Sequence, residues 1–222
     1  MIKKSMVKKS NVNRLFLAFV KITGYVPVML FLKPKKHYVN KNAFKGGLPK
    51  PCILMSNHTS LMDFVLYLMS FPFCTLRFWM AEVLFNKGRL FSWFLFKIGG
   101  IYINRDTCDF GFVEDSLEVL DKNGRIGVFP QGRLPVNGCR FPFKPGIVAV
   151  ALRTDAPIVP VYTDGNYGIT KRAHFIIGEP IYLRDYCDNE NPTKEQRQKL
   201  LELLEEKTFE LKDILEARKS KK

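Results

Sequence analysis

The sequence predicts an α/β fold, a central mixed β-sheet flanked by helices, and three observations predict it. Short apolar runs of strand length alternate with segments of helical length and spacing from residue 52 onward, the order that places helices on the faces of a sheet. Gly, Pro, Asn and Asp gather between those runs and mark the turns. At 222 residues, 46% hydrophobic and 25% charged, the chain has the size and composition of one globular domain with terminal additions.

The first candidate element is the apolar run LFLAFVKITGYVPVMLFL, residues 15–32. Lys21, Gly24 and Pro27 interrupt it and it lacks a clear small-residue cleavage site, so a signal peptide fits poorly. Its 18 residues fall just short of the ~20 that a spanning helix needs, and Pro27 would kink or split a helix there. Two short helices dipping into one leaflet satisfy both facts, although a helix packed on the protein's own core has the same periodicity. Charge favours the lipid surface. Residues 1–50 hold 12 Lys or Arg and no acid, against 23 bases and 21 acids in the remainder. The net charge of +14 therefore belongs to a membrane-associating N-terminal segment, whose Lys3, Lys4, Lys8, Lys9, Lys33, Lys35 and Lys36 would lie at anionic headgroups, each contributing ~1 kcal/mol. The same distribution argues against nucleic acid as a partner of the domain.

KPKKHYVNKNAFKGGLPKP, residues 33–51, is polar with scattered Pro and Gly and reads as a linker. The expected organisation is a basic, apolar segment and linker over residues 1–50 and one domain over residues 51–222. Within the domain, CILMS (52–56) reads as a buried strand, LMDFVLYLMS (61–70) as a helix and TLRFWM (75–80) as a strand. The run from Val83 to Ile98 has helical length with apolar residues on most faces, so it is either deeply buried or partly in lipid. GGIYI (99–103) follows as a strand and EDSLEVLDKN (114–123) as an amphipathic helix with Gly124 at its C′ position. RIGVFP (125–130) and PIVPVYT (157–163) are strands around the helix GIVAVALRT (146–154), and HFIIGEPIYL (174–183) supplies one or two more. The last helix starts at a capping box, Thr193 to Gln196 after Pro192, and docks through Leu200, Leu204, Leu211 and Leu215. Its final residues, Lys219 to Lys222, are expected to fray. Cys52, Cys74, Cys108, Cys139 and Cys187 are odd in number and form no C-x-x-C pair, which fits reduced thiols in a cytosolic environment better than disulfides or a zinc site.

The stretch SNHTSLMDF, residues 56–64, holds one of only three histidines. In a continuous helix His58 and Asp63 would lie ~140° apart and could not meet. If His58 sits instead in the turn after strand 52–56 and the helix starts near Ser60, Asp63 falls in the first turn and reaches back to the imidazole. A carboxylate on one ring nitrogen fixes the tautomer and leaves the other nitrogen free to take a proton. Ser60-x-x-Asp63 also fits a plain helix start.

Further motifs favour chemistry. After Asn57-His58-x-x-x-x-Asp63 come Gly100 and Arg105 in GGIYINRD, then FPQGRL at 129–134, then Phe143-Lys144-x-Gly146, then Val159-Pro160-Val161. This ordered set, from about residue 51 to 165, resembles the glycerophospholipid acyltransferase family, the group containing the 1-acylglycerol-3-phosphate acyltransferases. The resemblance implies acyl transfer from an acyl thioester of coenzyme A or acyl carrier protein, with no other cofactor and no metal, to the hydroxyl of a lysophospholipid; the leaflet-dipping segment and the reduced thiols add a place at the cytoplasmic face of a membrane, for a monotopic or peripheral protein. It implies His58 as general base and Asp63 as its orienter, with Arg105, Arg133 and Lys144 facing phosphate. Asn57 and backbone N–H groups near Gly132 would hold the turn or the oxyanion.

The third motif departs from the family's F-P-E-G-T-R. Gln131 stands at its Glu, Arg133 at its Thr and Leu134 at its Arg, so a charge is lost at 131 and a bidentate phosphate fork at 134. Arg133 substitutes by a one-residue shift, or the acceptor is another lipid or glycolipid hydroxyl. As surface cations, Arg105 and Arg133 would have no part in binding, and a catalytically idle lipid-binding module is the alternative from another class.

Overall fold

The computed structural model describes residues 12–104 and 110–220. Seven strands form one sheet in the order β1-β7-β6-β2-β5-β3-β4, comprising β1 (Lys35–Tyr38), β2 (Cys52–Ser56), β3 (Leu76–Ala81), β4 (Ile101–Ile103), β5 (Arg125–Val128), β6 (Ile158–Thr163) and β7 (His174–Ile177). Neighbours are parallel except β6 and β7, which run antiparallel, so the sheet is mixed.

Alternation along the strands builds two cores. Leu54, Phe78, Val159, Val161 and Phe175 point to the layer of α1 (Arg14–Leu32), α2 (Met62–Ser70), α3 (Glu82–Phe85) and α4 (Arg89–Ile98). Ile53, Met55, Ile126, Val128 and Ile158 point to α5 (Gly111–Asp121), α6 (Gly146–Ala151) and the start of α7 (Lys194–Ser220). β2 is buried at every position, as expected of a parallel strand covered on both faces. The parallel strands β2, β3 and β5 all end at one edge of the sheet, and the loops there carry the chemistry.

Four elements differ from the sequence expectation. The supposed linker supplies β1, which pairs in parallel with β7; its Lys-rich sequence looks like a loop because charged side chains are what guard an edge strand. The apolar run forms one helix, α1, with Pro27 inside it on the exposed side. Pro27 removes one N–H without ending the helix, because the turns on either side stay packed through Leu17, Lys21 and Leu32. The run 83–98 splits into α3 and α4 at Gly88, whose φ is +127°. At the end of α5, Asn123 rather than Gly124 takes the left-handed C′ position (φ +54°), and N–H bonds from Asn123 to the Leu120 carbonyl and from Gly124 to the Val119 carbonyl close a Schellman motif.

The C-terminal helix follows its sequence signals. Thr193 and Gln196 exchange backbone-to-side-chain bonds of 2.9 and 3.2 Å, and Leu200, Leu204, Leu211 and Leu215 are buried. The helix persists through Ser220. Residues 221–222, like Lys3, Lys4, Lys8 and Lys9, lie outside the described residues.

α1 is tied to the domain by an internal lysine. Lys21 is buried and its Nζ donates to the carbonyls of Phe71, Pro72 and Cys74 at 2.5 to 3.2 Å, in the turn beyond the C-terminus of α2. Burial lowers its pKa from the usual lysine value.

Candidate active site

Asn57 follows the last residue of β2 and anchors the turn. Its side-chain amide donates to the Thr163 carbonyl (2.9 Å) and accepts from the Thr163 N–H (2.8 Å), joining the ends of β2 and β6. With both ends of the amide used and the residue buried, Asn57 holds the turn against β6.

The chain then turns through His58, Thr59 and Ser60 into α2, so Asp63 falls in the first helical turn. Asp63 is fully buried and accepts five hydrogen bonds. Oδ2 takes His58 Nδ1 (2.8 Å) and the backbone N–H groups of Thr59 (2.6 Å) and Ser60 (2.9 Å). Oδ1 takes Thr59 Oγ1 (2.8 Å) and the Tyr167 hydroxyl. The two readings of SNHTSLMDF are therefore compatible, because the carboxylate satisfies helix-start N–H groups and the imidazole together. As a carboxylate Asp63 only accepts, so the hydrogen sits on Nδ1 and the Nε2 lone pair is left for a substrate proton.

The imidazole is also held by packing. Its ring stacks on Phe129 at 4.3 Å, and Phe129 stacks on Phe78 at 5.7 Å. Phe78 fits only because β5 carries Gly127, where a Cβ would come within 2.2 Å of the Phe78 ring. One glycine in a strand thus sets a column of three rings. Gln131, itself buried, accepts from the His58 backbone N–H at 2.7 Å, so the amide keeps an acceptor where the family has a carboxylate.

Beyond Gln131 the chain reaches the surface. Gly132 adopts φ +70° and the stem of Lys144 lies across it, since a Cβ there would stand 3.3 Å from Lys144 Cδ and Cε. Gly132 N–H donates to the Phe129 carbonyl (3.0 Å). Arg133 is exposed, with its guanidinium 5.1 Å from the Phe141 ring centre. Gln131 thereby meets His58 and Gly132 meets Lys144, with Arg133 next in the chain at the surface, whereas Arg105 lies outside the described residues. Among the described residues no three His, Cys, Asp or Glu side chains converge as a metal site would require.

Tyr167 escaped the sequence reading. It lies 104 residues from Asp63, in the loop after β6, and no local pattern links them. Burial, then the neighbouring Asp63 carboxylate, pushes its pKa up, so the hydroxyl keeps its proton and donates. The loop is fastened in turn, with Asp164 accepting from the His174 N–H (3.1 Å) and from Lys219 of α7 (2.7 Å).

Comparison with known proteins places this geometry. The acyltransferase family model matches residues 35–164, from β1 to just past β6. The 1-acyl-sn-glycerol-3-phosphate acyltransferase of Borreliella burgdorferi is 27% identical over 175 residues, covering 75% of this chain and 67% of its own. The human 1-acyl-sn-glycerol-3-phosphate acyltransferase beta is 27% identical over 135 residues, covering 58% of this chain and 48% of its own. The chain thus spans about two thirds of the first of these relatives and about half of the second. The crystal structure of the 1-acyl-sn-glycerophosphate acyltransferase of Thermotoga maritima shares the fold, with a TM-score of 0.60, 21% identity and coverage of 89% of this chain and 86% of that one. With the histidine, the aspartate and the third motif all inside the matched region, the chain belongs to the acyltransferase family.

Proposed function

We propose that the protein transfers a fatty acyl group from an acyl thioester, of coenzyme A or an acyl carrier protein, to the free hydroxyl of 1-acylglycerol-3-phosphate in phospholipid biosynthesis. The observation that carries this reading is His58 Nδ1, held 2.8 Å from a buried Asp63 at the strand-end edge of the sheet; relatives in the same family are named for the activity.

In the reaction His58 Nε2 takes the proton of the acceptor hydroxyl as its oxygen attacks the thioester carbonyl carbon. Asp63 stabilises the imidazolium that forms. The tetrahedral intermediate then expels the thiolate, which leaves as a thiol with the proton His58 returns. Thioester and alcohol become ester and thiol, and no cofactor beyond the thioester enters these steps.

Purified protein given lysophosphatidate and an acyl thioester, followed for thiol release, tests the assignment. No release above blank with either carrier would sink it. Tyr167→Phe, which removes one of five donors to Asp63, is expected to lower kcat while leaving KM for the thioester near parental. Hydrogen bonds to charged groups contribute ~1.5–3 kcal/mol, so the melting temperature should fall as well. Parental turnover at a lowered melting temperature confines Tyr167 to packing.

On this reading Arg133 and Lys144 bind the acceptor phosphate. Arg133→Ala is expected to raise KM for lysophosphatidate by about 10- to 150-fold, the kinetic equivalent of one charge-assisted bond, with little change for the thioester. Leu134 in place of the family's Arg favours a second reading, another lipid or glycolipid hydroxyl as acceptor. On that reading the parent lacks activity on lysophosphatidate and Arg133→Ala is mild.

The protein works from the cytoplasmic face of a membrane as a monotopic or peripheral enzyme. α1 is long and apolar enough to cross a bilayer, but Leu17, Lys21 and Leu32 hold it against the domain while Leu15, Phe19, Ile22, Val26 and Leu30 look outward. Lying flat, that outward stripe enters one leaflet. The free thiols of Cys52, Cys74, Cys139 and Cys187 suit a reducing compartment.

A further inference from the structure

The exposed apolar side chains are distributed unevenly. Among the described residues, 13 of the 19 large exposed hydrophobics belong to the layer of α1–α4 and its loops. α1 accounts for part of that. The rest gather where α3 turns into α4, with Val83, Leu90, Phe91 and Trp93 at 52%, 80%, 40% and 48% exposure, and with Leu61 at the start of α2. Gly88 makes the corner, and exposed Lys87 and Arg89 flank it.

Topology puts this corner beside the chemistry. α3 leaves the C-terminal end of β3, the same sheet edge at which β2 delivers His58 and β5 delivers Phe129 to Gln131. β3 lies two strands from β2, ~10 Å at the usual strand spacing. α4 then runs back to the far edge, where the Asn13 N–H meets the Lys97 carbonyl and Phe16 of α1 packs on Trp93 and Phe94. The apolar face of the corner is therefore continuous with the outward stripe of α1. Charge selects its partner: Arg14 and Lys33 at the two ends of α1 and Lys87 and Arg89 at the corner are exposed, while the only acids up to residue 104 are Glu82 and the buried Asp63.

We propose that the α3–α4 corner is a second lipid-inserting element, in one plane with α1, that seats the catalytic mouth on an anionic bilayer so that the acceptor enters from the leaflet. Delivery of an acceptor rests on the acyltransferase reading; insertion does not. The chain has two tryptophans, and Trp79 faces the other layer, with its indole N–H on Ser116 Oγ (2.8 Å) and its ring against Phe112.

The test uses full-length protein and vesicles of phosphatidylglycerol mixed with acyl-brominated phosphatidylcholine. Parental emission should be quenched by the bromine, and a Trp93→Phe variant should lose that quenching. Leu90→Glu with Phe91→Glu should weaken vesicle binding about tenfold or more, since each lost apolar side chain of this size corresponds to about a decade or more in partitioning. The double variant should lose activity on vesicle-borne acceptor while keeping it on a water-soluble short-chain one. Unquenched parental emission, undiminished binding by a folded double variant, or a stable dimer that covers Trp93 with vesicles present would overturn the proposal. An inactive parent with quenched Trp93 would instead count against the acyltransferase reading alone.

Discussion

His58→Ala is expected to cut kcat for acyl transfer by about 10²- to 10⁴-fold, the usual worth of a positioned general base, while the protein stays folded. The imidazole is 14% exposed, lies in a turn and contributes one ring to the Phe129–Phe78 column. Its loss removes a stacking contact of ~0.5–1.5 kcal/mol and one of five partners of Asp63. Turn and sheet remain, because Asn57 and Gln131 hold the backbone by bonds that do not involve the ring. Thiol release and a melting curve on the same preparation separate chemistry from folding. Near-parental turnover would remove the dyad from the mechanism.

Much of this site was legible in the sequence, and the reasons differ by residue. His58 and Asp63 were readable because the constraint is local: a strand end, a short turn and a helix start fix their geometry within one short segment. Gln131 and Gly132 were readable as parts of an ordered motif, although a motif does not say that the glutamine accepts from the His58 backbone. Tyr167, Thr163 and Phe78 reach the site through tertiary packing, and no spacing rule links residues so distant in sequence. α1 misled for a related reason. Its Lys21 resembles an interruption of a membrane segment, whereas three carbonyls beyond α2 satisfy it. Only the assembled layer reveals those partners. The strand β1 was hidden by composition, since a lysine-rich edge strand and a solvated linker are written with the same residues.

The altered third motif has a physical consistency. Relative to the family pattern, Gln131 removes a negative charge, Leu134 removes a positive one and Arg133 adds one, so the motif carries one more positive charge in all. Gln131 is 2% exposed, and a carboxylate there without a cation would carry a burial cost of several kcal/mol. Keeping the amide acceptor preserves the bond to the His58 N–H without requiring the arginine. The cations Arg133 and Lys144 are thereby left at the surface.

Asp63→Asn is expected to lower both rate and stability, and the two losses together separate this site from an ordinary helix start. The amide keeps the size of the carboxylate but puts two donors on one of its ends. If its oxygen replaces Oδ2, the Thr59 and Ser60 N–H groups stay satisfied, while the nitrogen at the Oδ1 position faces the Thr59 and Tyr167 hydroxyls, which would have to turn and accept. If the amide flips, its donors face two N–H groups and the His58 ring, and the imidazole accepts at Nδ1 instead of donating. That tautomer puts the hydrogen on Nε2, where the base should be. Either arrangement exchanges charge-assisted bonds, worth ~1.5–3 kcal/mol each, for weaker or missing ones. The melting temperature should drop by roughly 3–12 °C, taking 2–4 °C per kcal/mol for a chain of this size, and kcat should fall at least as far as for Tyr167→Phe. Steady-state kinetics on protein held well below its melting point decide between the roles. A lowered melting temperature with an unchanged rate would reduce Asp63 to a helix cap, and a lost rate at parental stability would make the turn N–H bonds dispensable.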